Sequence, residues 1–396
     1  MEVPTHLGID FGTCNSSAAV VRDGFPTPVK LRSGLTAIPS AVSVRDDGTL
    51  LVGAAAESAM WRWPDRFRRN FKTKLGENDP LYLGDRRLLP QELVAAVLAR
   101  LKIEAEQRFH EAGPFNRAVL AVPAGYALHR KRLMEEAGVA AGFSEVELLA
   151  EPVAAATYVL WERREQPVWG EGDAVLVYDL GGGTFDAALL RRRGDGYDSL
   201  AAPISRTIGG DDFDQRIFAH LAGTVPAALR ELLRERNDHG KLTRLVFQDA
   251  CRKLKVALSD EPAAEELLPL EGQPLLALDR ETFESLIADP VEETLQACRD
   301  LVAAAGLEPG GLRGGVLVGG STLIPFVRRQ VAAALQCEVF QPEDPALAVA
   351  LGAALHGAAS GARRDTPPPA PPPAPNRERY RLGGDAFGIF RAKAPE

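Results

Sequence analysis

Apolar positions come in two matching sets along the chain. The first run, Leu7-Gly-Ile, ends at Asp10 and passes through Gly12 and Thr13 into a second apolar run that reaches Val21. Residues 174–178 begin the same order again: an apolar run, then Asp179, three glycines, Thr184, Asp186 and a further apolar run to Leu190. Apolar runs of this length bounded by glycine predict two β-hairpins, and glycine lets such turns adopt positive φ and bring backbone close to a ligand. Each hairpin has a distant companion. Residues 118–122 predict a buried strand leading into a helix at 126–141, and residues 315–318 predict another leading into 323–335. Each half closes on a helix rich in small residues, 152–160 and 345–356, whose short side chains suit a close helix crossing at the junction between lobes. The pattern predicts an internal duplication.

Insertions separate these landmarks. Residues 50–110 hold a basic, aromatic stretch at 61–74 and a helical pattern at 90–109. Residues 212–290 hold helical stretches at 213–233 and 245–258, then a short strand region at 266–278. Both insertions read as outer subdomains. Residues 1–165 therefore read as lobe I, 166–359 as lobe II with a helix returning to lobe I, and 360–396 as a Pro-rich tail. The run 367–375 predicts an extended polyproline spacer, because proline fixes φ and lacks a donor. Residues 379–391 mix Tyr380, Phe387, Ile389 and Phe390 with charge, which reads as a disordered end, or as a segment that docks on a partner or folds back.

Composition narrows the function. The 396 residues are 45% hydrophobic and 25% charged, ordinary for a globular chain of two or three compact units. A net charge of -8 argues against nucleic acid or an anionic membrane as partner. Cys14, Cys251, Cys298 and Cys337 lack zinc-site spacing and read as reduced thiols. Residues 1–6 carry no leader pattern and no apolar run approaches bilayer length, which predicts a cytoplasmic protein.

The two hairpins carry the chemistry. A triphosphate needs backbone N–H donors, hydroxyls and a cation, and its magnesium needs acids placed one water away. Gly12, Thr13, Cys14 and Asn15 in one turn and Gly181, Gly182, Gly183 and Thr184 in the other offer amides and hydroxyls, with Asp10 and Asp179 facing each other across a cleft. A third glycine site, Gly319-Gly320-Ser321, would approach the nucleoside end. One such turn is weak grounds for phosphate binding; three within a duplicated framework are much stronger.

The motifs Gly8-Ile-Asp-Phe-Gly-Thr, Val122-Pro-Ala, Ala137-Gly-Val-Ala-Ala-Gly142, Glu151-Pro-Val-Ala-Ala-Ala, Asp179-Leu-Gly-Gly-Gly-Thr-Phe-Asp186, Ile208-Gly-Gly-Asp-Asp-Phe-Asp214, Val318-Gly-Gly-Ser-Thr-Leu-Ile-Pro325 and Ala348-Val-Ala-Leu-Gly-Ala-Ala354 span residues 7–356. In them the chain resembles the ATPase domain of the seventy-kilodalton heat-shock chaperones of DnaK type. The resemblance implies an α/β, actin-like ATPase fold of two duplicated RNase H-like lobes that close over ATP or ADP with Mg²⁺. It implies that Asp10, Glu151 and Asp179 hold the hydrated metal, that Thr184 and Asp186 orient the attacking water, and that Lys72 offsets charge on the γ-phosphoryl. Gly209, Gly210, Lys255 and Ser259 fall at nucleotide-binding positions by the same likeness.

The departures from that family bear on selectivity and partners. Val256 and Leu323 stand where two arginines sandwich the adenine, so the cation–π part of that clamp is lost while dispersion remains. Arg252 replaces the acid that meets the ribose. At the J-domain docking position the chain reads Glu147-Leu-Leu-Ala150-Glu-Pro-Val153, which reverses a charge and implies weak stimulation by J-proteins. No peptide-binding β-sandwich follows His356, so substrate clamping within the chain is not expected. The reading is a slow Mg-dependent ATPase coupling nucleotide state to a client or co-chaperone in trans. The alternatives are an ATP-sensing scaffold with little turnover, a small-molecule kinase of the same superfold, or a filament-forming actin relative.

Overall fold

The computed structural model describes residues 3–166, 168–194, 196–307, 310–362 and 389–391. The chain forms two compact units: Met1–Val168 with Gly194–Tyr197 and Pro342–Glu396, and Trp169–Arg193 with Asp198–Gln341.

The first unit opens with β1 (His6–Phe11), β2 (Asn15–Arg22), β3 (Phe25–Pro28) and β4 (Ala37–Pro39). A smaller region follows, with β5 (Ala41–Val44), β6 (Thr49–Val52), α1 (Ala54–Met60), β7 (Phe67–Arg69), β8 (Leu81–Leu83) and β9 (Arg86–Leu88). Then come α2 (Pro90–Arg108), β10 (Arg117–Val122), α3 (Leu128–Ala140), β11 (Glu145–Ala150) and α4 (Glu151–Glu162). The main sheet runs β11-β10-β1-β2-β3, with β4 added on β2. β1, β10 and β11 are parallel. The central strands are buried on both faces, which explains their continuous apolar runs. α2 starts where Pro90 presets φ and the Glu92 carboxylate accepts the Leu89 N–H at 2.7 Å.

The second unit contains β12 (Ala174–Leu180) and β13 (Phe185–Arg193), then the last two residues of β14 (Gly196–Ser199), β15 (Ile204–Arg206), α5 (Gly210–Thr224), α6 (Ala227–Arg234), α7 (Asp238–Asp260), β16 (Ala263–Leu267), β17 (Leu275–Asp279), α8 (Arg280–Ala304), β18 (Gly314–Val318), α9 (Pro325–Leu335) and β19 (Val339–Phe340). Its sheet repeats the topology of the first: a hairpin β12-β13, a parallel neighbour β18 on β12, a further parallel strand β19, and β15 added on β13. Both sheets hold six strands, the sixth being a short segment that pairs onto the outer strand of each hairpin. The helix expected over 213–233 is broken in two. Pro226 lacks an N–H and forces Val225 into extended backbone, so α5 stops and α6 restarts. The expected helix at 245–258 starts earlier, at Asp238, where the Asn237 side chain accepts the Gly240 N–H at 2.8 Å.

The chain returns to the first unit with α10 (Ala348–Ala362). The close helix crossing expected at a lobe junction lies inside this unit, between α10 and α4. A side chain at Gly352 would sit 1.8 Å from the Ala154 carbonyl oxygen, and one at Gly8 2.1 Å from the Ala354 nitrogen. The last described segment, β20 (Ile389–Arg391), pairs antiparallel with β6 and extends a sheet ordered β20-β6-β5-β7. The Pro-rich run at 367–375 lies outside the described residues. No helix among the described residues is long and apolar enough to cross a membrane. The four cysteines form no disulfide, and burial pushes the Cys251 and Cys298 thiols up to about 12, which makes them poor nucleophiles.

Beneath α10 lies a polar layer. His6 donates from Nε2 to the Ala354 carbonyl at 2.8 Å, Arg117 bonds Glu147 at 2.8 Å and the Gly357 carbonyl at 2.9 Å, and His356 meets Glu147 at 2.9 Å. Burial pulls His6 below its ordinary imidazole value, and the nearby Arg117 and His356 act in the same direction against Glu147. A histidine whose folded pKa is depressed takes up its proton on unfolding, so the stability it contributes rises with pH and is lost as pH falls below about 6.5. Urea unfolding between pH 5 and 7 is expected to show this slope, and His6→Gln to flatten it. Identical slopes in the two proteins would mean that His6 does not titrate with folding.

Candidate functional site

In the first unit the turn between β1 and β2 is shaped by backbone crowding. A side chain at Gly12 would lie 2.2 Å from the Asn15 carbonyl oxygen, so only glycine fits. Ser40 braces the turn from behind, donating from Oγ to the Gly12 carbonyl at 2.7 Å, while its N–H donates to the Cys14 carbonyl at 2.7 Å. Thr13 is buried, and Cys14 Sγ lies 4.0 Å from Asn70 Oδ1. Asn70 adopts φ of 60°, which turns the chain into a 3-10 turn, Phe71–Lys74, with Phe71 packed on Phe11 at 6.0 Å between ring centroids.

That turn delivers Lys72 to the site. Lys72 is only 8% exposed, so it is not a solvated lysine of a basic stretch. Its Nζ donates to Glu151 Oε1 at 2.9 Å, and Glu151, at the start of α4, is buried too. Burial opposes the lysine's charge, but Glu151, Tyr126 and Asp10 together hold it well above the usual lysine range. Asp10, at the end of β1, is pushed the other way. Burial and the Glu151 carboxylate raise it to about 7, with Lys72 offsetting part of the rise. Asp10, Lys72 and Glu151 therefore form one electrostatically coupled group.

In the second unit three glycine segments meet. Gly181 N–H donates to the Thr184 carbonyl at 2.9 Å and closes the β12-β13 turn, which sets Asp179 opposite Asp186 across the hairpin. Gly210 N–H donates to the Gly181 carbonyl at 3.1 Å and Asp211 N–H to the Gly182 carbonyl at 2.6 Å, so the start of α5 is pinned to that turn. A side chain at Gly209 would lie 2.6 Å from the Gly182 carbonyl oxygen. Ser321 Oγ donates to the Gly181 carbonyl at 2.8 Å and brings in the third segment. There Gly319 has φ of 86°, and a side chain would lie 2.6 Å from Asp179 Oδ1. Lys255 reaches over from α7, donating to the Gly210 carbonyl at 2.7 Å and pairing with Asp214 at 2.8 Å.

The remaining sequence candidates on α7 are placed differently. Arg252 is held by Asp249 of its own helix at 2.8 Å, and Ser259 is half-buried. Val256 and Leu323 are 60% and 50% exposed, apolar faces left open on the surface of this unit. Gly320 borders open space. Sequence reasoning missed Ser40, Asn70 and Tyr126, which support the first-unit group, and gave no role to Asp214. Only Asp214 had a local signal, as the last residue of the Ile208–Asp214 motif.

Twice in this chain a hairpin with a parallel neighbour carries an acid at the strand end beside a glycine turn, the repeated plan of the actin-like ATPase fold. The family model described as Hsp70 protein matches residues 6–82 and 80–366. The chaperone protein DnaK of Thermotoga petrophila is 34% identical over 355 residues, covering 87% of this chain and 58% of the relative. That of Thermotoga neapolitana is 34% identical over 356 residues with the same coverage, and that of Halobacterium salinarum 35% over 355 residues, covering 54% of the relative. The chain belongs to the Hsp70 family. It spans between half and three fifths of the length of these curated relatives.

Proposed function

We propose that this chain binds ATP with Mg²⁺ and hydrolyses it slowly, passing nucleotide state to a separate client or co-chaperone as a chaperone-type ATPase. The buried Lys72–Glu151 pair beside Asp10 carries the reading. An ion pair taken out of water costs solvation energy, and such a group is retained where its charges act on something. Its donors suit magnesium. Among the described residues no cluster of three or more acids, histidines or cysteines lies close enough to ligate a metal directly. The Asp10 and Glu151 carboxylates are hard oxygen donors, which suit a hydrated magnesium held through its water. When bound, the ion neutralises charge on the β- and γ-phosphates.

The chain's own residues do the rest. Asp10, Glu151 and Asp179 would hold the hydrated ion through their carboxylate oxygens. Lys72 places a point charge at the γ-phosphoryl, where charge develops during transfer. Gly12, Thr13 and the Gly181–Gly183 turn offer donors to the phosphates, and Thr184 and Asp186 orient the attacking water. Closure of the lobes would shield the phosphates from bulk solvent and bring the acids of both units to one triphosphate. The aliphatic Val256 and Leu323 grip the base by dispersion alone, which lowers selectivity for adenine. Glu147, already paired with Arg117 and His356, is a poor docking partner for a J-protein, and weak stimulation is expected.

Single-turnover hydrolysis with and without Mg²⁺, with ATP and GTP and with products identified, tests the proposal. Asp179→Asn and Thr184→Ala are each expected to slow hydrolysis about a hundredfold while thermal unfolding stays unchanged. Normal turnover in both removes these residues from the mechanism, and a dissociation constant for ATP weaker than millimolar removes the function. A second reading, an ATP sensor with little turnover, draws support from the missing adenine-clamping cations. Tight binding without product would select it.

A further inference from the structure

In the first unit, the sheet of β5, β6 and β7 would end at β6, a strand of sequence Thr-Leu-Leu-Val. An apolar edge with unpaired backbone groups is a template for any extended chain, and proteins cover such edges. Here the edge is covered. Residues 389–391 lie antiparallel on it, in the register Ile389↔Leu51, Phe390↔Leu50 and Arg391↔Thr49. We propose that the β6 edge is a strand-addition surface for an extended peptide, and that its resident is the chain's own C-terminal strand, docked in cis.

The ladder identifies which groups engage. Arg45 N–H donates to the Thr49 carbonyl and Gly53 N–H to the Ala41 carbonyl, and Ser43 stands opposite Leu51. Antiparallel bonding alternates, so the Leu51 amide faces β5 while the Leu50 amide faces the opposite edge, toward Phe390. Residues 363–388 connect α10 to this strand. Closing a connection of that length costs little more than closing a shorter one, since the penalty grows only with the logarithm of length. Tethering holds the strand at an effective concentration on the order of millimolar, which favours the cis arrangement over exchange between copies in dilute solution. Three residue pairs form a short ladder, so the strand is exchangeable, and a longer extended segment that pairs along all of β6 displaces it.

Amide hydrogen exchange on the full chain tests this. Phe390→Pro removes the N–H that donates to the Leu50 carbonyl, which undocks the strand and takes away the acceptor of the Leu50 amide, and leaves β5 and β6 intact. The Leu50 amide is expected to exchange at least about tenfold faster in the variant, with Leu51 unchanged as the internal control. Adding a synthetic peptide of residues 386–394 is expected to restore the protection of Leu50. An unchanged Leu50 rate, or peptide that fails to restore it, overturns the proposal. Protection in the wild type that is lost on dilution overturns the cis assignment, because the strand would then come from a second copy. ATP turnover does not enter the readout, so the result stands apart from the proposed function.

Discussion

Lys72→Met is expected to destabilise the first unit by about 3–5 kcal/mol, because it leaves the buried Glu151 carboxylate beside Asp10 with no cation. The effect is large because water cannot replace the lost partner. Lys72 and Glu151 are 9% and 6% exposed at their side chains, so the surviving charge is neither solvated nor neutralised without a shift in protonation. The double variant Lys72→Met with Glu151→Gln removes both charges and keeps the volume, and is expected to recover most of the lost stability. Its ATP turnover is expected to stay at least a hundredfold below wild type, since both proposed functional charges are gone. Chemical unfolding with single-turnover assays on the two variants and the wild type separates the two roles. A cost below about 1 kcal/mol for Lys72→Met would mean the pair behaves as a surface ion pair. Wild-type turnover in the double variant would remove both residues from the chemistry.

Gly352→Ala should be nearly as damaging, for a purely steric reason. The added methyl would lie 1.8 Å from the Ala154 carbonyl oxygen, a backbone atom of α4 that cannot rotate away. α10 and α4 would have to move apart, loosening the buried Ala350 and Ala354 from the strand β2 and the layer that holds His6. Such overpacking costs about 3 kcal/mol or more where the clash is with backbone. Gly223→Ala in α5 is the control. Its side chain would meet open space, and the helix should gain up to about 1 kcal/mol. Urea unfolding of both variants reads the difference. A Gly352→Ala protein as stable as wild type would mean that the two helices do not cross so closely.

The repeated hairpins, the buried central strands and the helix rich in small residues were legible in the sequence because each depends on short-range pattern. Continuous apolar runs mark strands covered on both faces, and Gly-Thr turns mark where they reverse. The same locality explains the errors. The run 213–233 kept helical spacing through Pro226, and periodicity outweighed the one residue that could not continue a helix. The sixth strand of each sheet is three residues long, β4 and β15, too short to carry a period of two.

What the sequence alone determined is the set of chemically able residues: two acids at strand ends, glycines at turns where a side chain has no room, and the motifs shared with the Hsp70 family. These follow from backbone geometry within a few residues. The tertiary structure alone decided which of them meet. Lys72 and Glu151 are 79 residues apart in sequence, and only the packing of Phe71 on Phe11 and the start of α4 at the end of β11 make them a buried pair. Lys255 reaches Gly210 across 45 residues, and Ser321 reaches Gly181 across 140. Such contacts are set by how apolar faces bury against one another, a long-range free-energy balance that no local preference encodes.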